Sequence, residues 1–194
     1  MAPSTTEARP LWRFHWRRVP GTHARQDAEL LAACAELYST SYGVWSDAAT
    51  RIHRTPGERI RRSPQDIAEL LESPDSFLAL AELSSGELVG YCIAVFTAAP
   101  EGQGRIAWVS QLVVGDAYRN EGVATNLLFS VWGFSDHYAC GLVTSNPFAV
   151  RALESATRRA CRLGEIRRRG NHVLHALEER SRTCRRNCRM AQNA

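Results

Sequence analysis

The residues with the clearest chemical potential lie between Gly115 and Thr125, where Tyr118-Arg119-Asn120-Glu121-Gly122-Val123-Ala124 forms an R-x-x-G-x-A pattern. The apolar run Arg105 to Val114 precedes it. Val123, Leu127, Leu128 and Val131 follow at helical spacing. A strand feeding a short loop and then a helix brings successive backbone N–H groups and the positive helix end onto one point, which suits an anion such as a phosphate. Gly122 lets the backbone approach such a ligand, and Ala124 keeps the clearance. The pattern alone also fits an ordinary strand-to-helix turn.

The elements that hold this loop follow from the rest of the chain. Leu11 to Val19 alternates apolar and polar side chains as a half-buried strand does, and Pro20-Gly21 ends it. Gln26 to Tyr38 sets Leu30, Leu31, Cys34, Ala35, Leu37 and Tyr38 at helical spacing. Ser63-Pro64 opens a second helix through Ile67, Leu70 and Leu71, which Pro74 stops. Phe77 to Leu83 and Leu88 to Thr97 read as antiparallel strands joined by Ser84-Ser85-Gly86-Glu87. Gly141 to Ser145 predicts a further short strand. Asn146-Pro147 then starts a helix through Val150, Leu153 and Thr157. The order is strand, helix, helix, three strands, helix, strand, helix, an α/β layered fold.

Composition narrows the function classes. The 194 residues suit one domain: a disordered segment 1–10, a folded domain 11–178 and an Arg-rich tail 179–194. No run approaches the roughly 20 apolar residues of a membrane span, and the N-terminus lacks a signal peptide's apolar core, so a soluble, cytoplasmic protein without membrane contact is expected. All 24 basic residues are arginine, which excludes a lysine base or Schiff base. The six cysteines are scattered and read as reduced thiols, with Cys92 and Cys140 in the core. His172, His175, Cys184 and Cys188 form H-x2-H followed by C-x3-C, but this order matches no familiar zinc module, and no metal is expected.

WVSQLVVGDAYRNEGVATNLL resembles the acyl-CoA-binding motif of the GNAT N-acetyltransferases, and SNPFAVRALESAT resembles the strand-helix segment that follows it there. The element order fits along residues 11 to 160. The resemblance implies a mixed, mostly antiparallel twisted sheet flanked by helices, with acetyl-CoA or a related acyl-CoA as co-substrate and a primary amine as acceptor. Adenine nucleotides are the rival ligands. It further implies that Leu112, Val113 and Val114 pair with the pantetheine arm, and that an N–H near Val113 stabilises the oxyanion. Arg119, Asn120, Glu121, Gly122, Val123, Ala124 and Thr125 would wrap the pyrophosphate, and Asn146 would face the cofactor.

The catalytic groups are less legible. The family often places a carboxylate on the central strand, where this chain has Val109-Ser110-Gln111; Gln111 orients a water but accepts no proton. The family's usual helix tyrosine is replaced by Leu153. Thr157, one turn further along, and Tyr91 and Tyr138 are the remaining hydroxyls. Arg51, Arg54, Arg59, Arg61 and Arg62 fall in the connection that the resemblance sets beside the acceptor, and arginine binds carboxylate or phosphate bidentately. A small anionic acceptor is suggested, with aminoacyl-tRNA or a protein N-terminus as alternatives and a non-catalytic acyl-CoA module as a third. The family's last two strands are reduced here to one candidate, His172 to Leu177, so a shortened sheet or a homodimer supplying the missing edge is expected.

Overall fold

A computed structural model describes residues 13–99, 102, 104–132, 137–168 and 170, with the side chains of 132, 137 and 138 left out. Five strands form one sheet in chain order: β1 (Phe14–Pro20), β2 (Ser76–Leu83), β3 (Leu88–Ala98), β4 (Arg105–Val114) and β5 (His137–Leu142). The first three pairings are antiparallel; β4 and β5 run parallel. Helices α1 (Gly21–Ala24), α2 (Ala28–Ser41) and α3 (Pro64–Leu70) lie between β1 and β2. Helix α4 (Val123–Trp132) connects β4 to β5, and α5 (Pro147–Thr157) follows β5. This is the mixed, mostly antiparallel sheet expected from the sequence.

The sheet is covered on both faces. Leu78, Leu80, Tyr91, Ile93 and Val113 pack with Leu30, Leu31, Cys34, Tyr38, Ile67 and Leu71 from α2 and α3. On the other face Ala79, Ala81, Cys92, Ala94, Ala107 and Val109 pack with Val123, Leu127, Leu128 and Val131 of α4 and Leu153 of α5. That second set is small-residue rich, so α4 comes close: a Cβ on Gly90 would lie 3.0 Å from Val123 Cγ1. The helix starts are sealed locally. Asp27 accepts from Leu30 N–H, and Ser63 with Asp66 forms a reciprocal capping box.

Two sequence expectations shift. The strand expected over Gly141 to Ser145 is His137–Leu142, because register with Arg105–Val109 of β4, rather than local β-propensity, decides its extent. Cys140 is only partly buried, whereas Cys92 is fully enclosed. Cys34, Cys92, Cys140 and Cys161 are free thiols. The segments 1–10 and 179–194, the candidate strand His172–Leu177 and the His172, His175, Cys184, Cys188 set lie outside the described residues. Among the described residues no three His, Cys, Asp or Glu side chains gather for a metal, and no helix is long and apolar enough to cross a membrane.

Candidate functional site

The site is built on a change of parity in β4. Ala94 pairs with Val109 but Ile93 pairs with Gln111, so Ser110 is one residue more than β3 can match, a β-bulge. Before the bulge, Ala107 and Val109 face α4 and α5; after it, Leu112 and Val114 do. Gln111 and Val113 consequently turn toward α2 and α3, beside Ile93 and Tyr91. The bulge also marks where the two parallel strands part. β5 is registered with β4 only from Arg105 to Val109, so residues 110–114 of β4 have β3 on one side and no strand on the other among the described residues.

Ladder alternation says which backbone groups look into that gap. Gly115 N–H donates to the Val89 carbonyl at 2.8 Å, which makes 89 and 115 a hydrogen-bonded pair in the β3–β4 register. Alternate residues turn alternate ways, so Val113 and Gln111 direct their N–H and C=O to β3, whereas Leu112 and Val114 direct theirs into the gap. The N–H of Val113 itself is therefore engaged with β3. Leu112 and Val114 are the two open donors.

The loop above the gap has the form of an anion cradle. Asp116–Tyr118 makes a 3-10 turn, held by Tyr118 Oη donating to Glu87 Oε1 at 3.2 Å. Asn120 (φ 63°) and Gly122 (φ 78°) then take left-handed conformations and fold the chain into α4. The N–H groups of Gly122, Val123, Ala124 and Thr125 and the Thr125 hydroxyl have no protein partner among the described residues, as expected at an uncapped helix start. Four convergent donors and a helix N-terminus fit a phosphate. The Arg119 guanidinium donates to the Ser41 carbonyl and pairs with Asp116 at 2.7 Å, bracing the loop against the end of α2. Glu121, an acid beside an anion site, is neutralised by an ion pair with Arg13. Arg13 also stacks on Phe14 and Tyr118, at 4.5 and 5.6 Å. No sequence signal singles Arg13 out, since it sits outside every motif.

Gln111 is 5% exposed, and its Oε1 accepts from the Tyr91 hydroxyl at 2.7 Å. Burial raises the Tyr91 phenol well above its ordinary pKa, and nearby Cys34, Tyr38 and Tyr42 add to the rise while Arg62 opposes it. Burial likewise pushes Tyr38 up to about 12. Tyr38 stacks on Tyr42, with ring centroids 4.2 Å apart, and Arg62 lies over its ring at 5.4 Å. These contacts carry the connection between α2 and α3 onto the Gln111 face. Its chain is itself ordered: Val44 bridges Arg59, and Trp45 N–H donates to the Glu58 carbonyl at 2.9 Å. Arg51, Arg54, Arg59 and Arg61 are exposed on it, Arg54 over Trp45 at 5.8 Å.

The remaining candidates divide. Asn146 caps α5 at the end of β5, its Oδ1 accepting from Phe148 N–H at 2.9 Å. Thr157 sits at the opposite end of that helix, about 15 Å along its axis, with its hydroxyl donated to the Leu153 carbonyl at 2.7 Å. Leu153 is core, and Tyr138's side chain lies outside the described residues.

The model of the acetyltransferase (GNAT) family matches residues 31–155, which hold most of α2 through most of α5 and the whole loop. The chain belongs to the GNAT acetyltransferase family. The family uses acetyl-CoA as co-substrate, and the open donors just described fit such a molecule. Solved GNAT-type structures agree in fold. An aminoglycoside acetyltransferase from an uncultured soil metagenomic sample, in complex with trehalose, is 13% identical, with 74% of this chain and 87% of that one covered and a TM-score of 0.51. An acetyltransferase of Trypanosoma brucei is 16% identical, with 77% and 94% covered and a TM-score of 0.50. A search of curated proteins finds no match to this GNAT chain.

Proposed function

We propose that this chain transfers an acetyl group from acetyl-CoA to the primary amine of a small anionic acceptor. The observation that carries the reading is the continuity of unpartnered donors from the Gly122–Thr125 cradle to the outward-facing backbone of Val114 and Leu112. A pyrophosphate in the cradle and an extended arm along Val114 and Leu112 bring the thioester to the bulge. Catalysis then rests mainly on alignment, which supplies effective molarities of about 10⁵ M or more in well-oriented reactions. The amine nitrogen bonds to the acyl carbon, the C–S bond breaks, the amine proton passes to water and the thiolate leaves as CoA. An open N–H at Leu112 or Val114 stabilises the developing oxyanion.

The acceptor's charge is read from the α2–α3 connection. Between residues 42 and 63 it carries Arg51, Arg54, Arg59, Arg61 and Arg62 against Asp47 and Glu58, five positive and two negative. This favours carboxylate- or phosphate-bearing amines and disfavours polycations such as aminoglycosides.

Calorimetry with acetyl-CoA, CoA and ATP, followed by thiol release in the presence of an amine panel, tests both steps. Selective micromolar binding of acetyl-CoA and faster release with acidic amines are expected. ATP binding as tightly as acetyl-CoA, or binding without release on any amine, overturns the transferase reading.

A further inference from the structure

Tyr91 and Gln111 form a buried hydrogen-bonded pair across β3 and β4. Tyr91 is wholly buried on β3, and its hydroxyl has one protein partner among the described residues, the Gln111 amide. A buried phenol with one available partner must donate to it, because an unpaired buried O–H is the costlier arrangement. The amide oxygen therefore faces Tyr91. Its nitrogen, with two N–H donors, has no protein partner among the described residues.

That nitrogen stands at the bulge, where β4 and β5 part, on the face lined by α2 and α3. The opposite face carries Leu112 and Val114 packed with Val123 and Leu127 of α4. The Gln111 face carries Arg62 beside Tyr38, and so the arginine-bearing connection.

We infer that Gln111, locked by Tyr91 as a donor, is a specificity-determining residue that binds an oxygen of the acceptor next to its reacting amine and selects amines bearing a neighbouring carboxylate. Tyr91 is the positioning residue. A glutamine free to flip would serve equally well for an ammonium, through its oxygen, or for an oxyanion, through its nitrogen; the buried hydroxyl removes the first choice. The arginines outside then gather the anion, and Gln111 fixes where its oxygen stops. This inference rests on the transferase reading above.

The test compares matched probes, glycine against ethylamine and L-phenylalanine against phenethylamine, in wild type, Tyr91→Phe, Gln111→Glu and Gln111→Leu. Acetyl-CoA affinity is measured beside each. Wild type should prefer the amino acid of each pair. Tyr91→Phe and Gln111→Leu should lose kcat/KM for the amino acid, chiefly through KM, by roughly ten- to hundredfold more than for the bare amine, while acetyl-CoA affinity changes little. Gln111→Glu should invert the preference. Equal losses for both members of a pair, or a wild type that prefers the bare amine, overturn the inference and leave the transferase reading standing. If wild type acetylates neither member, glycine is titrated into the CoA-saturated protein and the Gln111 side-chain amide followed by NMR, its signal recognised by its loss in Gln111→Glu. A shift of that signal, absent in Tyr91→Phe, supports the inference; an unmoved signal overturns it. Failure of wild type to bind acetyl-CoA removes the transferase reading itself.

Discussion

Replacing Gly122 by valine separates the cradle's chemistry from its backbone. Gly122 has φ 78°, a left-handed conformation that costs an ordinary side chain about 1–2 kcal/mol and a β-branched one toward 3. In a chain of this size each kcal/mol lowers Tm by about 2–4 °C, so a fall of roughly 6–12 °C is expected and the fold persists. Binding suffers more. The new side chain occupies the concavity lined by the N–H groups of residues 122–125. If two hydrogen bonds to a phosphate are lost at about 1.5–3 kcal/mol each, affinity falls roughly 10²- to 10⁴-fold. Gly86 supplies the control: φ is 87°, its Cβ would meet nothing within 4 Å, and it lies in the β2–β3 hairpin turn. Gly86→Val should match the loss of Tm and leave acetyl-CoA affinity unchanged. Calorimetric titration and thermal melts of both variants decide the matter. Wild-type affinity in Gly122→Val, or equal affinity losses in the two variants, refutes the cradle.

Gly141→Ala should destabilise by about 1–3 kcal/mol through overpacking, since its Cβ would lie 2.8 Å from the Trp108 ring of the paired strand; urea unfolding measures it. Asn146→Ala removes the α5 cap and should cost about 1 kcal/mol; a melt reads that cost, and titration with acetyl-CoA reads any contribution beyond capping. Alkaline pH should weaken the fold. The buried Cys34 thiol is raised from 9.0 to about 12 and Tyr38 from 10.0 to about 12, so the unfolded chain loses these protons first. Their contribution is intact below about 9 and lost progressively as pH rises to about 12. Cys34→Ala and Tyr38→Phe should each flatten that decline in chemical-denaturation curves.

The loop and its flanking elements were legible because each signal is local: an apolar strand, a glycine that must turn, and a 3.6-residue period in one continuous stretch. The β2–β3 hairpin was legible for the same reason. Extent was harder: Val143 and Thr144 are good strand formers, yet β5 ends at Leu142 because pairing with β4 ends there. What depends on register was hidden. Gln111 reads as a neutral residue until β3 sets Tyr91 beside it, twenty positions away. The direction of the Leu112 and Val114 amides follows from the ladder and has no sequence signature. Arg13 answers Glu121 only after β1 has joined the far edge of the sheet. Thr157 has the helical phase read from the sequence, and its hydroxyl is engaged by the Leu153 carbonyl one turn back.

The bulge at Ser110 gives the protein engineer a frame boundary within a single strand. Upstream of it, substitutions at Ala107 and Val109 rework the packing of α4 and α5. Downstream, the same odd-numbered parity addresses the α2–α3 side through Gln111 and Val113. Deleting Ser110 would behave as a frameshift in three dimensions, presenting Leu112 and Val114 to the acceptor and burying the Gln111 amide among α4 side chains, with every other residue identity unchanged.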